Sequence, residues 1–228
     1  MINKSWIVFI GAPGCGKGTQ IERLVKKNGF GSVAVGDLLR QNGNHVVPET
    51  GQTVAGLMNS GSLLPDGIVV GFVEADIRKQ VDNGKRSLLF DGFPRSVYQA
   101  ERLDEIVANF DTEISVVVDF VCNEEILVKR ILGRFLCPGC GKIYNDFFSR
   151  PFKDGVCDVC GGNKFIRRND DNELSLKKRL SEFREKTAAV IDFYERKGIL
   201  RKVDAAKNVA SVRASVLECL GLSEKENV

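Results

Sequence analysis

Trp6-Ile-Val-Phe-Ile10 runs straight into Gly11-Ala-Pro-Gly-Cys-Gly-Lys-Gly-Thr19, and an amphipathic stretch comes next. Few sequence features restrict a fold so tightly. The apolar run reads as a buried strand, and Ile21, Leu24 and Val25 recur at helical spacing until Gly29 stops the pattern. In a strand–glycine loop–helix unit, the loop N–H groups and the helix N-terminus converge on one point, which suits phosphate oxygens. Gly11, Gly14, Cys15, Gly16, Lys17, Gly18 and Thr19 are therefore the candidate phosphate cradle, with the Lys17 ammonium reaching the terminal phosphates. Cys15 is read as a small residue filling the loop. The common pattern places Ser or Thr directly after the lysine. Here Gly18 stands there and Thr19 comes one later, so magnesium is expected to be held differently, with the Thr19 hydroxyl nearer the phosphates.

Beyond the loop, short apolar runs alternate with amphipathic stretches, the pattern of an α/β domain with a parallel sheet. Strands are expected at 6–10, 32–35, 87–90, 114–120 and 200–203. Helices are expected at 18–28, 66–83, 97–109, 123–133, 173–197 and 209–220. Two stretches depart from the alternation. Residues 43–71 read as a mostly helical excursion, and residues 134–170 hold glycines, turn residues and two cysteine pairs with no sustained period.

Those pairs are Cys137-Pro-Gly-Cys140 and Cys157-Asp-Val-Cys160, with 16 residues between them. Each C-x-x-C makes a knuckle that aims two thiolates at one ion, and two knuckles close a tetrahedral zinc site. Four thiolates leave no open position, so the metal is expected to be structural. Three further cysteines, Cys15, Cys122 and Cys219, bring the count to seven. An odd number with metal-type spacing argues for a reducing compartment over a disulfide framework. Mean hydropathy is −0.11, and no apolar run approaches the roughly 20 residues of a membrane span. The N-terminal apolar stretch is too short for a signal peptide, so a cytoplasmic protein with no membrane partner is expected. Net charge is only +3. No basic block dominates, so nucleic acid is not an expected partner.

A set of arginines completes the motifs. Gly36-Asp-Leu-Leu-Arg40, Asp91-Gly-Phe-Pro-Arg95 with Gln99, Arg130 with Arg134, and Arg168 with Asp170, Asp171 and Arg179 all fall after strands or near helix ends. Arg130 and Arg134 are spaced to share one helical face, and Arg168 and Arg179 would do so on a continuous helix. Guanidinium forks match phosphate oxygens, so beside a phosphate loop these residues read as clamps for a polyphosphate.

Gly-x-Pro-Gly-x-Gly-Lys-Gly-Thr, Gly-Asp-x-Leu-Arg, Asp-Gly-Phe-Pro-Arg and Arg-x-x-x-Arg, in that order, resemble the adenylate kinases among the nucleoside monophosphate kinases. The four-cysteine insertion is similar to the zinc-bearing lid of the long bacterial type. The resemblance implies a P-loop three-layer α/β core around a parallel five-stranded sheet, with two mobile insertions. The core would comprise 1–35, 72–134 and 171–228, the monophosphate-binding flap 36–71 and the zinc lid 135–170. It implies reversible transfer from Mg-ATP to AMP, giving two ADP, by a monomer. Gly11, Gly14, Cys15, Gly16, Lys17, Gly18, Thr19, Arg130, Arg134 and Lys207 would hold ATP. Val35, Gly36, Arg40, Ser62, Leu63, Leu64, Gly92, Arg95, Gln99, Arg168 and Arg179 would hold AMP. Lys17, Arg95, Arg130, Arg134, Arg168 and Arg179 would stabilise the transferring phosphoryl group, and Asp91 would orient magnesium through water.

Two positions carry competing readings. Gln99 would read the adenine edge, yet Ser96-x-x-Gln99 is also a capping box. Val35 stands where adenylate kinases usually carry Thr and pyrimidine monophosphate kinases a small apolar residue, which keeps a UMP/CMP kinase open. A zinc-ribbon nucleic-acid binder with an ATP-dependent switch is a third reading.

Overall fold

The structure is a computed structural model describing residues 5–223; the expected core's outer ends, 1–4 and 224–228, lie outside the described residues. Its centre is a parallel sheet built from β1 (Trp6–Ile10), β2 (Gly31–Ala34), β3 (Leu88–Asp91), β4 (Ile114–Val121) and β7 (Leu200–Asp204), in the order β2-β3-β1-β4-β7. In register, Phe9 pairs with Asp91 on one side and Ile10 with Asp119 on the other. β1 is central and wholly buried, so its unbroken apolar run suits a strand covered on both faces.

Alternate residues of β1 feed two cores. Trp6, Val8 and Ile10 pack with α4 (Asp66–Asp82), α5 (Val97–Ala108) and α8 (Ala188–Arg196). Ile7 and Phe9 pack with α1 (Lys17–Asn28), α6 (Glu124–Leu132), α7 (Glu173–Glu182) and α9 (Val209–Cys219). That is the three-layer α/β arrangement. No helix among the described residues is long and apolar enough to cross a membrane.

Three departures from the sequence-based expectations have physical causes. β2 stops at Ala34, and Val35 begins a short helix, α2 (Val35–Gln41), because its buried side chain serves the core as well from a helix start. The expected helix 173–197 is broken by a π-helical turn, Phe183–Thr187, in which the Ala188 N–H bonds the Phe183 carbonyl. The wider turn rotates the second half of the rod against the first. Leu176 and Leu180 before it face one core, and Val190 and Tyr194 after it face the other. Third, α6 ends at Leu132, and Arg134 opens β5 (Arg134–Leu136), which pairs antiparallel with β6 (Ile143–Asn145). Gly133 stands at the junction, and since a Cβ there would lie 2.7 Å from Phe147 and 2.9 Å from the Lys129 carbonyl, only glycine lets the following chain fold back this closely on the helix end.

The two irregular stretches differ in their packing. Leu39 of α2, Val54 and Leu57 of α3 (Val54–Asn59), with Val47 and Leu64, join the main core. Residues 135–170 instead make a cluster of their own from Cys137, Tyr144 and Cys157, flanked by Phe135 and Phe165.

Candidate functional site

The glycine loop leaves the carboxyl end of β1 and enters α1 at Lys17. Two of its glycines are sterically required. A Cβ on Gly11 would meet the Phe120 carbonyl at 2.9 Å, and one on Gly14, with φ +82°, would meet Ile131 at 2.8 Å. Lys17 Nζ lies over the loop, donating to the Gly11 carbonyl at 2.6 Å, the Ala12 carbonyl at 3.2 Å and Cys15 Sγ at 3.3 Å. Cys15 is buried, as a loop-filling residue should be. Asp91, at the end of β3, reaches the first turn of α1, where its Oδ2 sits 3.7 Å from the Cβ position of Gly18.

Arg130 approaches the loop from α6, donating to the Cys15 carbonyl at 3.2 Å and the Ala205 carbonyl at 2.9 Å. Its guanidinium lies 5.8 Å from the centre of the exposed Phe148 ring, a partner no local pattern announces. Lys207 stands exposed on the turn beyond Ala205, 3.9 Å from Asp204. Asp119, two residues before the end of β4, is a buried carboxylate that no motif singles out. Burial pushes its pKa up, against the opposing pull of Lys202 and Lys17.

Arg40, Arg95, Arg134, Arg168 and Arg179 act on one another electrostatically. Burial lowers Arg95 foremost, with Asp91 opposing and Arg40 adding to the fall. Burial likewise lowers Arg168, and then Arg134 and Arg40 lower it further. Arg179 falls to about 10 through burial, opposed by Asp170, with Arg95 and Arg134 repelling it. Carboxylates hold some of these forks in place. Arg134 grips Asp171 through two N–H groups, Arg179 meets Asp170 at 3.0 Å, and Arg40 meets Asp37 at 3.2 Å.

The expected helical faces are not what assembles this group. Arg130 and Arg134 part company at Gly133, one facing the loop and the other Asp171, while Arg168 precedes α7 and Arg179 lies within it. Tertiary contacts hold them together instead. Arg95 Nε donates to the Gly92 carbonyl at 2.8 Å, and the Arg95 carbonyl accepts from Thr187 at the end of the π turn, 3.3 Å away. Gly36 lies under the Arg40 guanidinium, its Cβ position 3.4 Å away. Ser62 Oγ accepts from the Lys178 ammonium of α7 at 2.7 Å, and Leu63 and the buried Leu64 come after it.

Gln99 is buried at the start of α5. Half of the capping box forms, with the Gln99 N–H donating to Ser96 Oγ at 3.2 Å. The side chain does not complete it. Gln99 Oε1 accepts from the Arg95 N–H at 2.7 Å, and Nε2 donates to Asp66 Oδ1 at 2.7 Å.

The four cysteine Sγ atoms lie within 4.8 Å of one another, with Cys137–Cys160 and Cys140–Cys157 each at 3.5 Å. Tetrahedral Zn–S bonds of about 2.3 Å would set sulfur atoms about 3.8 Å apart, so the donor set fits such an ion. Each knuckle closes alike, the Gly141 N–H bonding the Cys137 carbonyl and the Gly161 N–H the Cys157 carbonyl, both at 2.9 Å. The Tyr144 hydroxyl donates to Cys157 Sγ at 3.3 Å and lowers that thiol's pKa, whereas those of Cys140 and Cys160 are raised.

A phosphate loop, a strand-end carboxylate beside it and mutually repelling arginines at one end of a parallel sheet are the equipment of a P-loop nucleoside monophosphate kinase. Relatives narrow the class. A family model described as adenylate kinase matches residues 9–199. The adenylate kinase of Zymomonas mobilis is 40% identical over 214 residues, covering 94% of this chain and 95% of that protein. That of Thermotoga petrophila is 37% identical over 221 residues, 97% of this chain and 99% of its own. The chain belongs to the adenylate kinase family.

Proposed function

We propose that the protein transfers the γ-phosphoryl group of Mg-ATP reversibly to AMP, giving two ADP. The observation that carries this reading is the group of five arginines beside the Lys17 loop, three of which have their pKa lowered in part by the charge of the others. Asp37, Asp171 and Asp170 answer Arg40, Arg134 and Arg179, but Arg95 and Arg168 form no salt bridge among the described residues, and two nucleotides meeting phosphate to phosphate would supply the anions they lack. Phosphoryl transfer asks little of a protein beyond positioning and charge stabilisation.

In this reading Gly11, Gly14, Cys15, Gly16, Lys17, Gly18 and Thr19 cradle the ATP phosphates, Lys207 lies by the nucleoside, and Arg130, which reaches the loop at the Cys15 carbonyl, binds ATP and helps stabilise the transferring phosphoryl group. Arg40 and Arg95 hold the AMP phosphate. Val35, Gly36, Ser62, Leu63, Leu64 and Gly92 line the AMP side, and Gln99 meets its base. Arg134, Arg168 and Arg179 face the group in transfer, with Asp170 and Asp171 holding Arg179 and Arg134 until phosphates compete for them. Magnesium bound with ATP supplies charge neutralisation at the phosphates. Asp91, 3.7 Å from the Cβ position of Gly18, is placed to hold it through water, with the Thr19 hydroxyl near by.

Segment 36–71 serves as the monophosphate flap and 135–170 as a lid pinned by zinc on Cys137, Cys140, Cys157 and Cys160. The remaining ranges, 1–35, 72–134 and 171–228, form the core. A monomer working in the cytoplasm, without nucleic acid or membrane, completes the proposal. At the lid's edges Arg134 is engaged with Asp171, and Arg168 acts on Arg40, which supports a role for both at the nucleotide site.

Val35 favours a second reading as a UMP/CMP kinase, because its buried side chain offers an acceptor base no hydrogen bond. Acceptor profiling separates the two. With Mg-ATP as donor and AMP, UMP, CMP or GMP in turn, the expected leading product is ADP. A profile led by UDP or CDP would overturn AMP as acceptor.

A further inference from the structure

The inference concerns how Gln99 tells bases apart, and it rests on the reading of Gln99 as the group that meets the acceptor base. A glutamine amide has no intrinsic preference for which way its oxygen and nitrogen point, so an amide that must discriminate has to be fixed from outside. Both partners of Gln99 do this by chemistry alone. The Arg95 backbone N–H, 2.7 Å from one amide atom, can only donate, so that atom is the oxygen. A carboxylate only accepts, so the amide atom 2.7 Å from Asp66 Oδ1 is the nitrogen. The other carboxylate oxygen, Oδ2, accepts from Ser96 Oγ at 2.6 Å, and Ser96 Oγ in turn accepts the Gln99 backbone N–H at 3.2 Å. Asp66, Ser96 and Gln99 therefore form a closed ring in which every donor and acceptor has one assignment.

The ring uses half of what the amide offers. Oε1 keeps one lone pair and Nε2 keeps one N–H. Adenine presents an amino donor at position 6 beside an acceptor at N1, which that pair matches. A 6-oxo purine presents the reverse, an acceptor at position 6 beside an N1–H donor. To suit it the amide would have to turn over, facing donor to donor at Arg95 and oxygen to oxygen at Asp66. We propose that Asp66 is a positioning residue for base selection, fixing the orientation of Gln99 so that 6-amino acceptors are taken and 6-oxo acceptors refused. Asp66 is well placed for this. It opens α4 immediately after Leu64 and Pro65, so it ties the base-proximal end of segment 36–71 to the start of α5. Because Val35 supplies no hydrogen bond, the discrimination falls more heavily on this amide.

The test compares AMP with IMP, which differ in the purine only at position 6 and the N1 proton. In Asp66→Leu one of the two constraints on the amide is gone, and the ratio of kcat/KM for AMP over IMP is expected to fall about tenfold, the share of one hydrogen bond of ordinary strength. Asp66→Glu keeps a group that can only accept and is expected to hold the ratio within about twofold, whereas Asp66→Asn, whose own amide can turn over together with Gln99, is expected to fall with Asp66→Leu. Asp66→Ala repeats the first measurement with a smaller side chain, should leucine be rejected by the fold. A fall of AMP and IMP together, with the ratio intact, would mean a merely structural role and would overturn the proposal. The wild-type acceptor profile separates the two layers. A wild type that prefers UMP or CMP overturns the AMP reading and this proposal with it, whereas a wild type that prefers AMP over IMP while Asp66→Leu discriminates equally well overturns this proposal alone.

Discussion

Segments 36–71 and 135–170 are of similar length, and they solve the same problem in opposite ways. The first sends Leu39, Val47, Val54, Leu57 and Leu64 into the core that β1, α4 and α5 already form. The second gathers its buried apolar residues into a cluster of its own, Cys137, Tyr144 and Cys157, touches the rest through polar groups such as Asn145 and Asp170, and leaves Phe147, Phe148, Phe152 and Val159 exposed. A piece of chain this short cannot bury enough apolar surface to hold its own shape, so it borrows a core or takes a cross-link. Borrowing couples the first segment to the stability of the whole molecule. A metal on the four cysteines, as proposed above, would make the second firm inside without enlarging its apolar contact with the core.

The comparison can be broken most severely through the metal. Structural zinc contributes on the order of 10 kcal/mol to the fold of such a site. Its removal by chelation is expected to strip amide-exchange protection from 135–170 while 36–71 keeps its own. Equal loss in both segments, or loss in neither after verified metal depletion, would defeat the contrast. Lys17→Ala belongs to neither segment and serves as the reference. Turnover should fall about a thousandfold, as when a preorganised charge is removed from a transition state, with the melting curve unchanged. Near-normal turnover would take the loop out of the chemistry.

Leu57→Ala probes the borrowed core, since Leu57 is buried in it. It should destabilise the whole molecule by about 3 kcal/mol in a single urea transition. A local loosening of 36–71 with the global transition intact would show that the segment is not coupled after all. Val35→Thr is the smallest change. A hydroxyl able to bond the acceptor base should lower the KM for AMP a few-fold, in keeping with about 1 kcal/mol for one hydrogen bond, and leave the KM for ATP alone. An unchanged KM for AMP would place the base elsewhere.

Legibility in the sequence divides along the same line, between local and distant causes. β1, its glycine loop and α1 were legible because a central strand, a phosphate loop and an amphipathic helix each leave a local pattern, and these abut in the chain. The four cysteines were legible for the same reason, their spacing being the site. The β5–β6 hairpin was not, since three-residue strands are too short to establish a period of two, and only Phe135 opposite Tyr144 marks the pairing. Nor was the parting of Arg130 from Arg134, since the glycine between them is required by Phe147, which packs on it from beyond β6. Asp66, Asp119 and Phe148 matter through neighbours distant in the chain, and no short window on the sequence contains both members of those pairs. The readings of Gln99 competed because both drew on the same start of α5. Only the destination of the amide separates them, and Asp66 is 33 residues away.

The π turn at Phe183–Thr187 also has a mechanical meaning. α7 is seated in one helical layer and α8 in the other, and the turn between them carries the Thr187 contact to Arg95. Sliding the two layers in opposite directions along the sheet would have to shear that rod at its widest, least regular point. One continuous rod thus belongs to both cores, and the hydrogen bond from its bend reaches the arginine after β3, so a repacking on either side of the sheet has a short route to Arg95.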